Sequence, residues 1–282
     1  MESDVLKPTV AGSGDQTFLA NRAVGRIELV VNAAGGATRR RHVAEDGSLR
    51  VRFPSPEGAD LEAVILNTAG GIAGGDRYEL DITVEHKAQL VVTTAAAEKI
   101  YRSLAPDAKI DVKLKVGAGA RLTWLPQEMI VFDRSRLSRR IDVELAADGA
   151  LTMAETAVFG RSAMGEVVAQ GSFVDRWRVR REGRLLFAET ARLDGAIAQK
   201  LAEPGVAAGG VAVATVLAVP GDEATAASVR ALSAGFAGEV GISAWNGIAV
   251  ARLCAKNGAS LRGDLVAVLT ALGAPLPRLW LN

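Results

Sequence analysis

The chain has 282 residues, of which 49% are hydrophobic and 23% charged, so it can bury a large core. Its 33 basic and 32 acidic side chains give a net charge of +1, which provides no general field to attract nucleic acid or anionic lipid. We therefore expect no nucleic-acid and no membrane partner. A single cysteine excludes an intrachain disulfide, and the first residues do not resemble a secretory signal. Both observations favour a cytoplasmic location.

Residues 1–20 are mixed in character and aperiodic, and we predict a poorly ordered N-terminus there. Residues 21–282 are predicted to form a single domain. Apolar and polar residues alternate at 78–85, 110–116 and 141–145, with glycine-containing turns between these runs. Alternation with period two is typical of half-buried strands, and the turns suggest hairpins. The fold class is therefore mainly β, with a large antiparallel β-rich body over about 21–208.

The pattern changes after about residue 209. A strand is predicted at 211–219 and a helix at 222–237, where Asp222 can cap the first turn. The pair Asn246-Gly247 predicts a tight hairpin, and a second helix begins at about Ser260 and ends by Gly273. The order predicts a C-terminal α+β portion with two helices and a βαββαβ-like arrangement over about 209–282, packed on the body.

A glycine-rich loop at 67–76 is the most obvious candidate for a binding site, because glycines let backbone amides approach a phosphate. A phosphate-binding loop opens a helix, however, and this loop leads directly into the predicted strand at Tyr78. We therefore interpret its glycines as a structural loop between strands: Gly70, Gly71, Gly74 and Gly75. Asp76 either bonds its own turn or faces a polar cavity.

Enzymatic alternatives have weaker support. Cys254 lies in an apolar run and is expected to be a buried thiol, while His42 and His86 are expected at the surface. Besides phosphate binding at the glycine loop, paired carboxylates could carry out hydrolysis. The acidic residues near turns or strand ends are Asp76, Glu128, Asp133, Glu155, Glu166 and Glu189. Spacing alone selects no pair among them, so solvated surface positions are the favoured interpretation.

Several segments together resemble one family. Each motif is modest, but their number and order from about residue 26 to the end are specific. The matching segments are LNTAGGIAGGDR at 66–77, TTAAAEKIYRS at 93–103, WLPQE at 124–128, VFD at 131–133, FGR at 159–161, DRW at 175–177, SAWNG at 243–247 and LPR at 276–278. These segments are similar to those of the urease accessory protein UreD family, also called UreH. Ala95 departs from the glutamine or proline expected at its position.

The resemblance implies a non-enzymatic maturation scaffold, or chaperone, that is rich in β structure. In this family the scaffold binds the accessory protein UreF, recruits the GTPase UreG and docks the assembly on apo-urease. The resemblance implies no tightly bound cofactor, since GTP is used by the partner GTPase and nickel is transient cargo in an internal path. The chain has only two histidines and one cysteine, which suits weak nickel binding by oxygen ligands.

The resemblance also suggests candidate residues. Asp76 is the candidate for a transient nickel path, and Glu128, Glu166 and Glu189 are candidates for a polar path or a partner surface. A rival candidate for partner contact is the segment Arg176, Trp177 and Arg178, because arginine and tryptophan are typical hot-spot residues. We expect Asp76→Ala to leave the fold intact and to impair urease activation.

Overall fold

The computed structural model describes residues 22–54, 60–103, 106–161 and 164–281. The N-terminal segment predicted to be poorly ordered lies outside the described residues. The described chain contains two large β-sheets and few helices, which confirms the mainly β fold class with C-terminal helices. None of the described helices is long and apolar enough to cross a membrane.

The strands are numbered in chain order. They are β1 Val24–Ala34, β2 Ala37–Gly47, β3 Leu49–Arg52, β4 Leu61–Asn67, β5 Arg77–Val84, β6 Gln89–Thr94, β7 Glu98–Ile100, β8 Ala108–Val116, β9 Arg121–Trp124, β10 Met129–Val131, β11 Arg136–Leu145, β12 Ala150–Phe159, β13 Gly171–Arg181, β14 Arg184–Gly195, β15 Ala212–Val219, β16 Glu239–Trp245 and β17 Ile248–Ala255. The helices are α1 Ile197–Ala202, α2 Glu223–Arg230 and α3 Gly258–Ala271.

The first sheet has the order β14-β13-β11-β8-β5-β1-β2, and the second has β16-β17-β15-β12-β9-β6-β4-β3 with β7 and β10 attached beside β12. Between β4 and β13 the chain passes from one sheet to the other and back, and we call each such circuit a coil. Neighbouring parallel strands of a sheet are therefore one coil apart. The pairs β1–β5, β5–β8, β8–β11 and β11–β13 are parallel, as are β4–β6, β6–β9 and β9–β12.

The prediction of an antiparallel body is therefore wrong for its centre. Antiparallel pairs occur at the margins, such as β1–β2, β3–β4 and β13–β14. The physical reason is that alternation with period two reports one buried and one exposed face, and it does not report the direction of the neighbouring strand. The glycine-containing turns at 117–119 and 148–149 carry the chain across to the opposite sheet, whereas the turn at Glu182-Gly183 does form a hairpin, between β13 and β14.

The main core lies between the two sheets, because every strand directs alternate residues inward. The parallel register stacks these residues in rows, such as Ile27, Leu80, Val112, Ile141 and Trp177 across the first sheet. All five are buried. A second core lies on the other face of the second sheet, where strand alanines allow close packing against Leu261, Leu265 and Val268 of α3.

The C-terminal portion extends the second sheet through β15, β17 and β16, with α2 and α3 on its outer face. Asp222 caps α2 as predicted, since its carboxylate accepts a hydrogen bond from the Thr225 amide at 2.8 Å. Asn246 and Gly247 both have positive φ, as the predicted tight hairpin requires. The predicted final strand is wrong, because the described chain after α3 forms a 3₁₀ turn at Arg278–Trp280. The short helix α1 was not predicted.

Candidate functional site

The glycine-rich loop stacks on the next coil of the chain. A Cβ at Gly71 would lie 2.4 Å from the ring of Tyr101, and a Cβ at Gly74 would lie 1.8 Å from Ser103 Oγ. Gly71 also has a φ of 147°, which side chains rarely adopt. The loop leads into β5 and not into a helix. Close packing therefore accounts for Gly71 and Gly74, as expected of a structural loop.

Asp76 is buried, and both of its carboxylate oxygens bond backbone amides. Oδ1 accepts from the Ala23 amide at 2.9 Å, and Oδ2 accepts from the Ala73 amide at 2.8 Å. The Tyr78 hydroxyl lies 3.5 Å from Oδ2. Asp76 thus fastens its own turn to the segment that precedes β1. It borders the interior through Tyr78 and is not among the residues that line the cavities described next.

A cavity of about 200 Å³ lies between the sheets, directly inside the glycine-rich loop. Its middle is apolar and includes Ile72, Val112 and Met129. It reaches the surface beside Ala95 and Ala96, which line it and are exposed. We call this space the first cavity.

Polar groups stand at the loop side of the first cavity. Asn67 donates to a Glu98 carboxylate oxygen at 3.0 Å and to the Gly71 carbonyl at 3.1 Å. Burial raises the pKa of Glu98, although the bond from Asn67 opposes this shift. Burial, together with the charge of Asp76, raises the pKa of Tyr78 to about 12. This end of the cavity therefore offers a carboxyl group and a phenol that stays protonated at neutral pH.

A buried ionic network stands at the opposite end of the first cavity. Arg139 Nε and Nη2 donate to the two oxygens of Asp175 at 2.9 and 2.6 Å, and its Nη1 donates to Glu155. The indole of Trp124 donates to Glu155 at 2.7 Å, and that of Trp177 donates to Asp175 at 3.0 Å. All five side chains are buried, so the network joins the two sheets through fully engaged polar groups.

The electrostatics of this network follow from its burial. Burial alone would lower the pKa of Arg139, but the adjacent Asp175 and Glu155 carboxylates raise it above the ordinary value. Burial raises the pKa of Glu155, while the charge of Arg139 acts in the opposite direction. Two carboxyl groups share one guanidinium, so the network has one more acidic group than it has cations.

A second cavity of about 50 Å³ adjoins the first. Met129, Arg139 and Glu155 line both cavities. The second cavity also contacts Glu189 and reaches the surface beside Ala191, which is exposed. We call the two cavities and the network between them the interior route.

Glu189 is the predicted candidate that lies on the interior route. Its Oε1 accepts from Arg252 at 2.6 Å. Its Oε2 is buried and has no hydrogen-bond partner among the described residues. A buried carboxylate oxygen without a donor favours an approaching cation. The route therefore has carboxyl groups at Glu98, at the network and at Glu189.

Two other predicted acidic residues lie off the interior route. Glu128 lines neither cavity, and its Oε2 lies 3.7 Å from Nη1 of Arg262. Glu166 pairs with Arg161 at 2.7 Å, and this bond lowers the pKa of Glu166. Neither position supports a role in an internal path, and both remain candidates for partner contact.

The predicted docking segment is divided between two faces of β13. Trp177 points inward, is 3% exposed and lines the second cavity, so it does not form part of an outer docking face. Arg176 is exposed on the outer face. Arg178 is half-buried and donates to the Trp177 and Glu189 carbonyls. The period of two explains the division, since neighbouring residues of a strand point in opposite directions.

Metal-binding residue types are dispersed in this fold. The described part of the chain contains no group of three or more His, Cys, Asp or Glu side chains placed to hold a metal ion. Cys254 is partly buried, not fully buried as predicted, and its thiol donates to the Ala207 carbonyl at 3.2 Å. Burial raises the pKa of this thiol, so it stays protonated at neutral pH.

Comparison with known proteins gives a consistent result. The family model for the UreD urease accessory protein matches residues 23–281. The chain is 58% identical over 265 residues to the urease accessory protein UreD of Rhodopseudomonas palustris strain BisA53, covering 94% of this chain and 93% of the relative. It is 58% identical to that of Bradyrhizobium diazoefficiens strain JCM 10833, covering 94% and 96%. It is 54% identical over 283 residues to that of R. palustris strain BisB5, covering all of both chains.

Proposed function

Because the chain belongs to the UreD family of urease accessory proteins, which gives it a role in urease maturation, we propose that it is a non-enzymatic scaffold that passes nickel toward apo-urease. In this proposal it binds UreF, recruits UreG and docks the assembly on apo-urease. UreG uses the GTP, and nickel travels as cargo through the interior route.

One observation carries the nickel part of the proposal. The two adjoining cavities form an interior route with carboxyl groups along its length, and the buried Glu189 Oε2 is available to a cation. Oxygen ligands without clustered imidazoles or thiolates hold Ni²⁺ less firmly than nitrogen or sulfur ligands do. Such a lining suits transit, which requires binding that is readily reversed.

Scaffolding is tested by co-expressing the chain with UreF, UreG and apo-urease and purifying through a tag on this chain. We expect all three partners to co-purify. If neither the accessory proteins nor apo-urease were captured, the scaffold would be refuted. Appreciable binding of GTP or ATP by the purified chain alone would instead favour an enzyme that uses the glycine-rich loop.

Nickel transit is tested separately with Glu189→Gln, which removes a charge and keeps the size of the side chain. The matched control is Glu79→Gln on the outer face of β5, where the Glu79 side chain is 64% exposed. We expect both variants to assemble and only Glu189→Gln to lower urease activity and nickel content. Equal activation by the two variants would contradict a role for Glu189 in transit.

A further inference from the structure

The ionic network divides the interior route into its two cavities. Arg139 and Glu155 line both cavities, whereas Trp124 lines only the first and Asp175 and Trp177 line only the second. The Arg139 side chain is 6% exposed, and its guanidinium donates to carboxylates from both sheets. A cation moving between the cavities must therefore pass between Met129, Arg139 and Glu155, the residues that line both.

Arg139 is an unusual residue for this position in its strand. Its side chain points inward from β11, as those of Leu137 and Ile141 do. Its partners on the two neighbouring strands are Ile110 and Asp175. A buried guanidinium opposes any second cation that comes close, because like charges repel strongly where water is excluded. While Arg139 remains in place, it also occupies the carboxylate oxygens that a metal ion would use.

We propose that Arg139 closes the interior route, and that a divalent cation crosses between the cavities only by taking the Glu155 and Asp175 carboxylates from its guanidinium. This inference rests on the proposed transit of nickel through the same route. It makes Arg139 a residue that determines which ions cross.

The exchange discriminates between ions by charge. A monovalent ion offers each carboxylate no more charge than the guanidinium does, and it lacks the planar two-point match of arginine with a carboxylate. A divalent ion doubles the attraction to both carboxylates. The closed network therefore holds back Na⁺ and K⁺ and yields to a divalent ion such as Ni²⁺.

The proposal predicts what happens when the guanidinium is removed. In Arg139→Gln the two carboxyl groups remain without their cation, so the position becomes a trap for a divalent ion. The matched control is Arg140→Gln, which changes the next residue on the exposed outer face of the same strand. Titration calorimetry of the purified full chain with Ni²⁺ alone measures the effect. Quenching of tryptophan fluorescence is a second readout, because two of the four tryptophans, Trp124 and Trp177, bond the carboxylates of the network.

We expect Arg139→Gln to bind Ni²⁺ roughly tenfold or more tightly than the unaltered chain, with quenching, and Arg140→Gln to bind as the unaltered chain does. Adding Asp175→Asn to Arg139→Gln should abolish the gain. A folded Arg139→Gln with unchanged Ni²⁺ affinity would overturn the proposal.

A second variant covers the case in which Arg139→Gln does not fold, because unpaired buried charges are destabilising. Arg139→Lys keeps the charge but loses the two-point clamp, so we expect a smaller gain in Ni²⁺ affinity and a folded chain. No gain in this variant would also overturn the proposal.

We call the closure of the interior route by Arg139 the gate. Measuring urease activation shows whether the gate alone fails or the interior route fails as well. The trapping variant Arg139→Gln should activate urease several-fold less well than Arg140→Gln while the complex still assembles. If it bound nickel tightly yet activated urease normally, nickel would not use the interior route, and both the route and the gate would be refuted. If it did not bind nickel more tightly, only the gate would be refuted.

Discussion

Replacement of Asp76 by alanine removes the carboxylate that holds the glycine-rich loop in place by hydrogen bonds. Its carboxylate accepts from the amides of Ala23 and Ala73, and the alanine variant loses both of these bonds. Hydrogen bonds to charged groups contribute about 1.5–3 kcal/mol each, and both donors are only half-buried. We therefore expect the free energy of unfolding to fall by about 2–4 kcal/mol, a large part of the roughly 5–15 kcal/mol of a typical domain.

Equilibrium unfolding in urea, followed by circular dichroism, measures this loss. The matched control is Asp111→Ala on the exposed outer face of β8, for which we expect a change within about 0.5 kcal/mol. Asp76→Asn keeps one acceptor and should lie between alanine and the unaltered chain. A loss below about 0.5 kcal/mol for Asp76→Ala would refute the fastening role. The expectation that this variant keeps its fold stays a prediction, and because the fold is less stable, its effect on urease activation must be measured per folded molecule.

Two further predictions concern the same loop and the first cavity. Gly71→Ala should destabilise the fold by about 1–3 kcal/mol in the same urea assay, because the new methyl group meets the Tyr101 ring at a strained φ; stability equal to the unaltered chain would contradict the packing. In a Tyr101→Phe chain the remaining tyrosine is Tyr78, and ultraviolet absorbance should show it half-ionised near pH 12. Its raised pKa favours the protonated form in the folded state, so this contribution to stability is complete below about pH 10 and is lost as pH rises toward 12. Ionisation near pH 10 in the folded protein would show that Tyr78 is not buried.

The elements were predictable where a local rule determines them. Alternation located β5, β8 and β11, because a strand with one wet face has that pattern in any sheet. Asn246 and Gly247 identified their hairpin, because both residues adopt positive φ readily. The parallel pairing was not predictable in this way, since it depends on which strand lies alongside. The direction of pairing is determined by the connections that cross between the sheets, and the residues of the strands do not reveal it.

The site was predictable only in part. Glu189 was a candidate and lines the second cavity, whereas Glu98, Arg139 and Asp175 were not singled out as interior groups. A signal for two of them was present, because Arg139 and Asp175 occupy inward positions of alternating strands, where a charged residue is costly unless it is paired. Their pairing could not be inferred, since Arg139 and Asp175 are 36 residues apart and meet through the parallel register.

Passage of nickel through the interior route requires an open first cavity, so filling that cavity tests the passage. Val112→Phe places a ring in that cavity, and Lys113→Phe places the same ring on the exposed outer face of β8. Purified complexes with UreF, UreG and apo-urease would be supplied with nickel and GTP, and urease activity and bound nickel would be measured. We expect both complexes to assemble, with activation largely lost in Val112→Phe and retained in Lys113→Phe. Full activation by an assembled Val112→Phe complex would contradict passage of nickel through the interior of this protein.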